Sequence, residues 1–223
     1  MTALAVLLSI LAAIAIGAMS PGPSFVLVSR ISVAASRSHG LASALGMGVG
    51  GAFFAALAVL GLTALLLKFE WLYFVLKLLG GAYLVYLAIM IWRGASKPLV
   101  ASNGSGEGRG LSVPRAFLVG LLTQLSNPKT SIVYASIFAA LMPPSPPLWL
   151  LLALPPMLFC VEAGWYTIVA LAFSGSRARN VYMRLKLWID RGAGAVMGAL
   201  GDEADGRSNK IKVLRKATLE PTR

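Results

Sequence analysis

The sequence predicts an all-α polytopic membrane protein built as two inverted three-helix repeats, with the sixth helix shortened. Three observations predict it. The 223 residues are 57% hydrophobic and only 13% charged, and the mean hydropathy is +0.78, far from the balance of a soluble domain. The apolar residues fall in long runs, whereas the charges lie almost entirely between them. Two of these runs are broken by proline at corresponding places in the two halves, Ser20-Pro21-Gly22-Pro23 and Asn127-Pro128-Lys129.

A hydrocarbon core of about 30 Å needs roughly 20 apolar residues per helix. Five runs meet that length, at 3–29, 41–67, 71–92, 116–142 and 148–173, while a sixth at 193–201 is too short to span. The start of the chain lacks the basic region of a secretory signal, and its apolar run is longer than a signal's, so 3–29 reads as a retained first helix. The net charge of +12 would suggest nucleic acid in a soluble protein, but here the charge is confined to alternate loops. Arg30 and Arg37 follow the first run; Arg93, Lys97, Arg109 and Arg115 follow the third; Arg177, Arg179, Arg184, Lys186 and Arg191 follow the fifth. The positive-inside rule places those loops in the cytoplasm and the N-terminus outside. Nucleic acid is thereby excluded as the expected partner, and the lipid bilayer takes its place.

Three spans precede the loop that begins at Gly94 and up to three follow it. Halves with an odd number of spans insert with opposite orientation, which is the condition for an inverted repeat. The expected organisation is a transporter domain over 1–201, with repeat one at about 1–93, a cytoplasmic linker at about 94–115 and repeat two at about 116–201. The linker is rich in Gly and Ser and cannot bury enough apolar area to order itself. Residues 202–223 read as a disordered polar tail.

Helices are interrupted in lipid only where protein or a water-filled cavity satisfies the freed backbone groups, so paired interruptions point to a binding site. Proline is favoured at the first helical position, with Gly or Asn before it, and Gly22-Pro23 and Asn127-Pro128 both fit the start of a half-helix. Such a start presents unpaired N–H groups and the positive end of a helix dipole to an anion. Pro21, Gly22, Pro23, Asn127, Pro128 and Lys129 are accordingly candidate substrate-binding residues, with a packing kink as the alternative reading. Glu162 is the one carboxylate inside a span. An acid at that depth costs about 2.5–3.5 kcal/mol on insertion scales and is retained for an ion pathway or a buried pair, so Glu162 is the candidate proton-coupling and substrate-binding acid. Tyr166, one turn on at i+4, and Trp165 at i+3 are placed to hydrogen-bond it. Lys77 is a further candidate charge partner, or a side chain that snorkels to the interface. Gly46-Met47-Gly48-Val49-Gly50-Gly51 lies inside an apolar span with no following Lys-Ser/Thr, so it reads as a helix-packing surface and not a phosphate loop.

The residues exclude several chemistries. A single cysteine, Cys160, allows no intrachain disulfide framework and no zinc cluster, and His39 lies in a basic loop and reads as solvated. No metal or cofactor is expected. A membrane-embedded enzyme is disfavoured because no span contains a His to activate a nucleophile and the spans hold one acid, not a pair.

Several motifs in order resemble the LysE/RhtB family of amino-acid exporters. They are Ser20-Pro21-Gly22-Pro23, the entry of the second run from Gly40-Leu41 to Gly46, the stretch from Leu76-Lys77 through Gly80-Gly81 to Tyr86-Leu87, and Gly120-Leu121-Leu122-Thr123 leading to Asn127-Pro128-Lys129. The resemblance runs to about Gly201. It implies a six-helix protein of the bacterial cytoplasmic (inner) membrane, a homo-oligomer among its options, that exports amino acids or related metabolites against proton entry. Two departures stand out. Gly51 and Phe54 occupy positions where many members carry an acidic and a polar or aromatic residue, which leaves Glu162 as the principal acid. The short sixth run also keeps open an alternative, an accessory or inactive membrane subunit.

Overall fold

The computed structural model describes residues 2–68, 75, 78–79, 81–83, 85–86, 89, 93, 111–174, 191 and 195. Lys77, most of the third run, the Gly/Ser linker up to residue 110, most of the short sixth run and the polar tail lie outside the described residues. Among those described, the chain is helical with no strand, in six continuous helices: α1 (Ala3–Met19), α2 (Pro23–Ala34), α3 (Arg37–Lys68), α4 (Val113–Leu125), α5 (Pro128–Leu141) and α6 (Leu148–Phe173). The scattered described positions from 75 to 93 are helical as well. The molecule is an all-α polytopic membrane protein.

Each apolar run becomes either one helix or a broken pair. The first run is α1 and α2, which meet at a 59° bend across Ser20-Pro21-Gly22. α1 starts at Thr2, whose hydroxyl accepts the Ala5 N–H at 3.3 Å, and α2 starts with Gly22 as N-cap and Pro23 in the first turn. The fourth run is α4 and α5, separated by Ser126-Asn127. The second and fifth runs are the long helices α3 and α6, both apolar enough to cross a bilayer, α3 over Arg37–Gly61 and α6 over its full length.

Pro155 and Pro156 lie inside α6 without ending it. A proline removes a single N–H donor and crowds one carbonyl, and the helix continues through the pair. At residues 21–23 two prolines flank a glycine, and before Pro128 the Asn127 side chain competes for the backbone. Those added effects separate a break from an interruption.

α3 is the central helix, packed against α4 on one side and α6 on the other. The approach to α4 is backbone to backbone: a Cβ at Gly46 would run into the carbonyl of Phe117, and one at Gly120 would run into the carbonyl of Ser43. Toward α6, a Cβ at Gly48 would lie 2.7 Å from that of Ala163. The glycine-rich stretch is therefore the packing surface expected of it, since small residues let helices approach closely where lipid supplies no hydrophobic drive. Large side chains fill the remaining core. Ile10 and Ile14 of α1, Tyr134 and Phe138 of α5, and Leu150, Leu154 and Leu158 of α6 form one cluster; Phe25, Val28, Met47, Tyr166 and Val169 form a second. Leu4, Leu8, Leu60, Leu122 and Leu152 point outward and are more than half exposed, as residues facing lipid are.

His39 departs from the expectation of a solvated side chain. It sits in the first turn of α3 with Nδ1 2.7 Å from Ser36 Oγ and Nε2 2.6 Å from the carbonyl oxygen of Leu111. It thereby ties the start of α3 to the chain entering α4, a contact 72 residues apart in sequence that no local pattern reveals.

Replacing Gly46 or Gly120 with Leu should destabilise the protein by about 1–3 kcal/mol or more through overpacking. Gly61 and Gly164 have nothing within 4 Å of an added Cβ, so alanine there should be neutral or stabilise by up to about 1 kcal/mol from helix propensity. Denaturant titration in detergent micelles would rank the four variants.

Candidate functional site

The two breaks meet. Asn127 caps α5 by accepting the Lys129 backbone N–H on Oδ1 at 3.0 Å, and its Nδ2 donates to Ser24 Oγ in the first turn of α2 at 2.9 Å. Ser24 Oγ in turn donates to Gln124 Oε1 at 2.7 Å. All three side chains are buried. This seam joins residues a hundred or more positions apart, and Ser24 Oγ, Gln124 Oε1 and Asn127 Nδ2 are satisfied within it, as burial in an apolar setting favours, while Gln124 Nε2 makes no hydrogen bond among the described residues.

Lys129 completes the junction from the other side. Its Nζ donates to the carbonyl oxygens of Ser20 at 2.8 Å and Gly17 at 3.4 Å, which are left without helical partners where α1 ends. A cation at a helix C-terminus is also favoured by the dipole. The lysine side chain runs past the first break: a Cβ on Gly22 would sit 3.4 Å from Lys129 Cδ and 3.6 Å from Nζ. Gly22 offers no side-chain cap to α2, so no side chain of its own competes for the first-turn N–H groups there.

Glu162 faces the junction from α6 and is 3% exposed. Its Oε1 accepts a hydrogen bond from Tyr134 Oη at 3.2 Å. An aromatic hydroxyl on this carboxyl thus comes from α5, across the helix interface. Tyr166 is buried at the same place, while Trp165, the other neighbour considered, leaves its Nε1 without a hydrogen bond among the described residues. Gly51 makes room for the acid, because a Cβ there would lie 2.7 Å from Glu162 Cγ and 2.9 Å from Tyr134 Oη. The absence of a side chain on α3 at this point is what allows an acid to enter from α6.

A cavity lies where these elements converge. It is lined by Gly17, Ala18 and Ser20 at the end of α1, Gly22 and Ser24 at the start of α2, Asn127, Lys129, Thr130 and Tyr134 on α5, and Glu162 and Tyr166 on α6. Of the residues singled out from the sequence, Gly22, Asn127, Lys129, Glu162 and Tyr166 come together here. Pro21, Pro23 and Pro128 do not line the cavity; they shape it through the backbone. Ser24, Gln124 and Tyr134 were not singled out, although a lone Gln three residues before the Asn127 cap was a readable signal of a polar seam. The cavity volume is about 20 Å³, room for about one water. Within this space a cation, an acid and two helix N-termini face one another, which suits a small molecule carrying both charges.

Ser24→Ala and Asn127→Ala test the seam. Loss of the cap alone should cost about 1–2 kcal/mol at Asn127. The double-mutant cycle should give a coupling of about 1 kcal/mol between the two positions, measured by unfolding in detergent, if their hydrogen bond is as drawn.

The family model of the LysE type translocators matches residues 15–203. The threonine efflux protein of Salmonella typhi is 34% identical over 183 residues, which cover 82% of this chain and 89% of the relative. That of Escherichia coli is 33% identical over the same shares, and an uncharacterized membrane protein of Haemophilus influenzae is 30% identical over 181 residues, 81% of this chain and 86% of the relative. No solved structure matches the chain. With the family match covering most of its length, the chain belongs to the LysE type translocators and is a bacterial membrane transporter, not an enzyme.

Proposed function

We propose that the protein exports a small zwitterionic amino acid by proton antiport with alternating access, and that threonine is the first substrate to test. The single observation that carries this reading is the convergence of Lys129, two half-helix N-termini and Glu162 on one cavity. The substrate carboxylate is assigned to the N–H groups at the starts of α2 and α5 with Lys129 as charge partner. The substrate ammonium is assigned to Glu162, with Tyr134 and Tyr166 beside it. The threonine efflux relatives support the substrate class.

Antiport follows from having one acid at the site. Among the described residues Glu162 is the sole Asp or Glu, so a proton and the substrate ammonium compete for the same carboxylate. Binding of the amino acid displaces the proton, and its release on the other side lets a proton return. A cavity of about 20 Å³ cannot hold an amino acid, so loading requires the helices around the breaks to part. In this reading repeat one, at about 1–93, rocks against repeat two, at about 116–201, around the fixed junction. The protein sits in the cytoplasmic (inner) membrane with its N-terminus outside, by the charge of its loops.

In proteoliposomes with an imposed proton gradient, Glu162→Gln should abolish uphill amino-acid movement; uphill transport at the wild-type rate would reject the assignment. Lys129→Met should weaken substrate binding by roughly 10–100-fold, the loss of about 1.5–3 kcal/mol from a charge-assisted bond. Wild-type protein that moves no amino acid in the same vesicles would favour the accessory-subunit reading instead.

A further inference from the structure

Gln124 is the only glutamine in the chain and is wholly buried on α4. On one side its Oε1 accepts from Ser24 Oγ at 2.7 Å, and Ser24 accepts from Asn127 Nδ2 at 2.9 Å. On the other side its Nε2 makes no hydrogen bond among the described residues, and the same holds for Glu162 Oε2. One of these orphan atoms is a donor and the other, on a carboxylate, an acceptor.

Consecutive glycines of α3 bring the two side chains to adjacent positions. A Cβ on Gly50 would lie 2.7 Å from Gln124 Cγ, and one on Gly51 would lie 2.7 Å from Glu162 Cγ. Gln124 is moreover one of the groups acting on the Glu162 carboxyl, together with Tyr134 and Lys129. Two buried polar atoms of opposite character, each without another partner, are costly apart and satisfied together.

We infer that Gln124 is a positioning residue that reads the protonation state of Glu162 and passes it to the seam joining the two helix breaks. The inference rests on the proton-coupled reading above for its role in transport. The groups facing the carboxyl are Tyr134 and Lys129 from α5, Gln124 from α4 and Tyr166 from its own helix, while α3 presents Gly51. Tyr134 already occupies Oε1, which leaves Oε2 as the oxygen that takes a proton from the cavity. With Glu162 ionised, Gln124 Nε2 donates to Oε2 while Oε1 accepts from Ser24. Once Oε2 is protonated, an O–H faces an N–H, and both are donors. A half-turn of the amide about its terminal torsion removes the conflict: Oε1 then accepts from Glu162, and Nε2 donates to Ser24. Ser24 now accepts from both Gln124 and Asn127, and its own hydrogen turns out of the seam toward the cavity that Ser24 lines. Gain or loss of one proton at α6 thus reverses the hydrogen-bond direction at the junction of α2, α4 and α5.

A sole glutamine makes the test direct. Wild-type protein synthesised cell-free with side-chain amide ¹⁵N-glutamine and placed in phosphatidylethanolamine/phosphatidylglycerol nanodiscs carries one labelled NH₂ group. Its two proton shifts should move with pH in the wild type, and the movement should vanish in Glu162→Met, which removes the carboxyl without adding a second glutamine. An NH₂ signal that stays fixed while Glu162 titrates, or that moves equally in Glu162→Met, would overturn the inference. The readout needs no transport: wild type that exports nothing defeats the exporter reading, and the NH₂ titration still decides this one. In active vesicles, Gln124→Met should flatten the pH profile of exchange, and an unchanged profile would contradict the relay.

Discussion

Inside hydrocarbon no water is available to satisfy backbone groups released where a helix stops, and the arrangement of this protein follows from how its two breaks meet that demand. The free carbonyls of Gly17 and Ser20 at the end of α1 are bonded by Lys129 from the second break. The cap of the second break, Asn127, is held in turn by Ser24 from the first. Each break supplies what the other lacks. α1, α2 and α5 are consequently locked at one point, and the cavity is the space left between their ends.

The glycines of α3 set the second condition. Gly46 and Gly120 let α3 and α4 touch along their backbones, whereas Gly50 and Gly51 leave room for side chains entering from α4 and α6. That room is filled by Gln124 and Glu162, so the acid reaches the junction from α6 with no competing group on the central helix. Packing and function are linked here. The same glycines that bring the helices close determine which helix supplies the charge. Among the described residues, one buried acid near a lysine and two helix starts suits a substrate with two opposite charges, and the proposed antiport rests on that arrangement.

Much of this was readable from local sequence because the relevant physics is local. Gly22-Pro23 and Asn127-Pro128 announce helix starts through backbone geometry and capping, and both are found as such. Run lengths gave α3 and α6 closely, and the spacing of Gly46 and Gly50 gave the packing face. What stayed hidden is contact between distant segments. Only i+3 and i+4 neighbours such as Tyr166 can be inferred along one helix, whereas the hydroxyl of Tyr134 reaches Glu162 from another helix. The same limit hid the Ser24–Gln124 and His39–Leu111 contacts. Pro155 and Pro156 show the converse: proline alone does not report a break unless a glycine or a capping side chain accompanies it.

The central claim is that one site at the joined breaks binds both ends of a zwitterion. Counterflow of labelled threonine in proteoliposomes of the wild-type protein, competed by threonine, by its methyl ester and by N-acetylthreonine, addresses it most directly. The account predicts that unlabelled threonine competes and that each blocked analogue, lacking one charge, competes far more weakly. Competition by the ester or the N-acetyl compound as strong as that by threonine itself would contradict it.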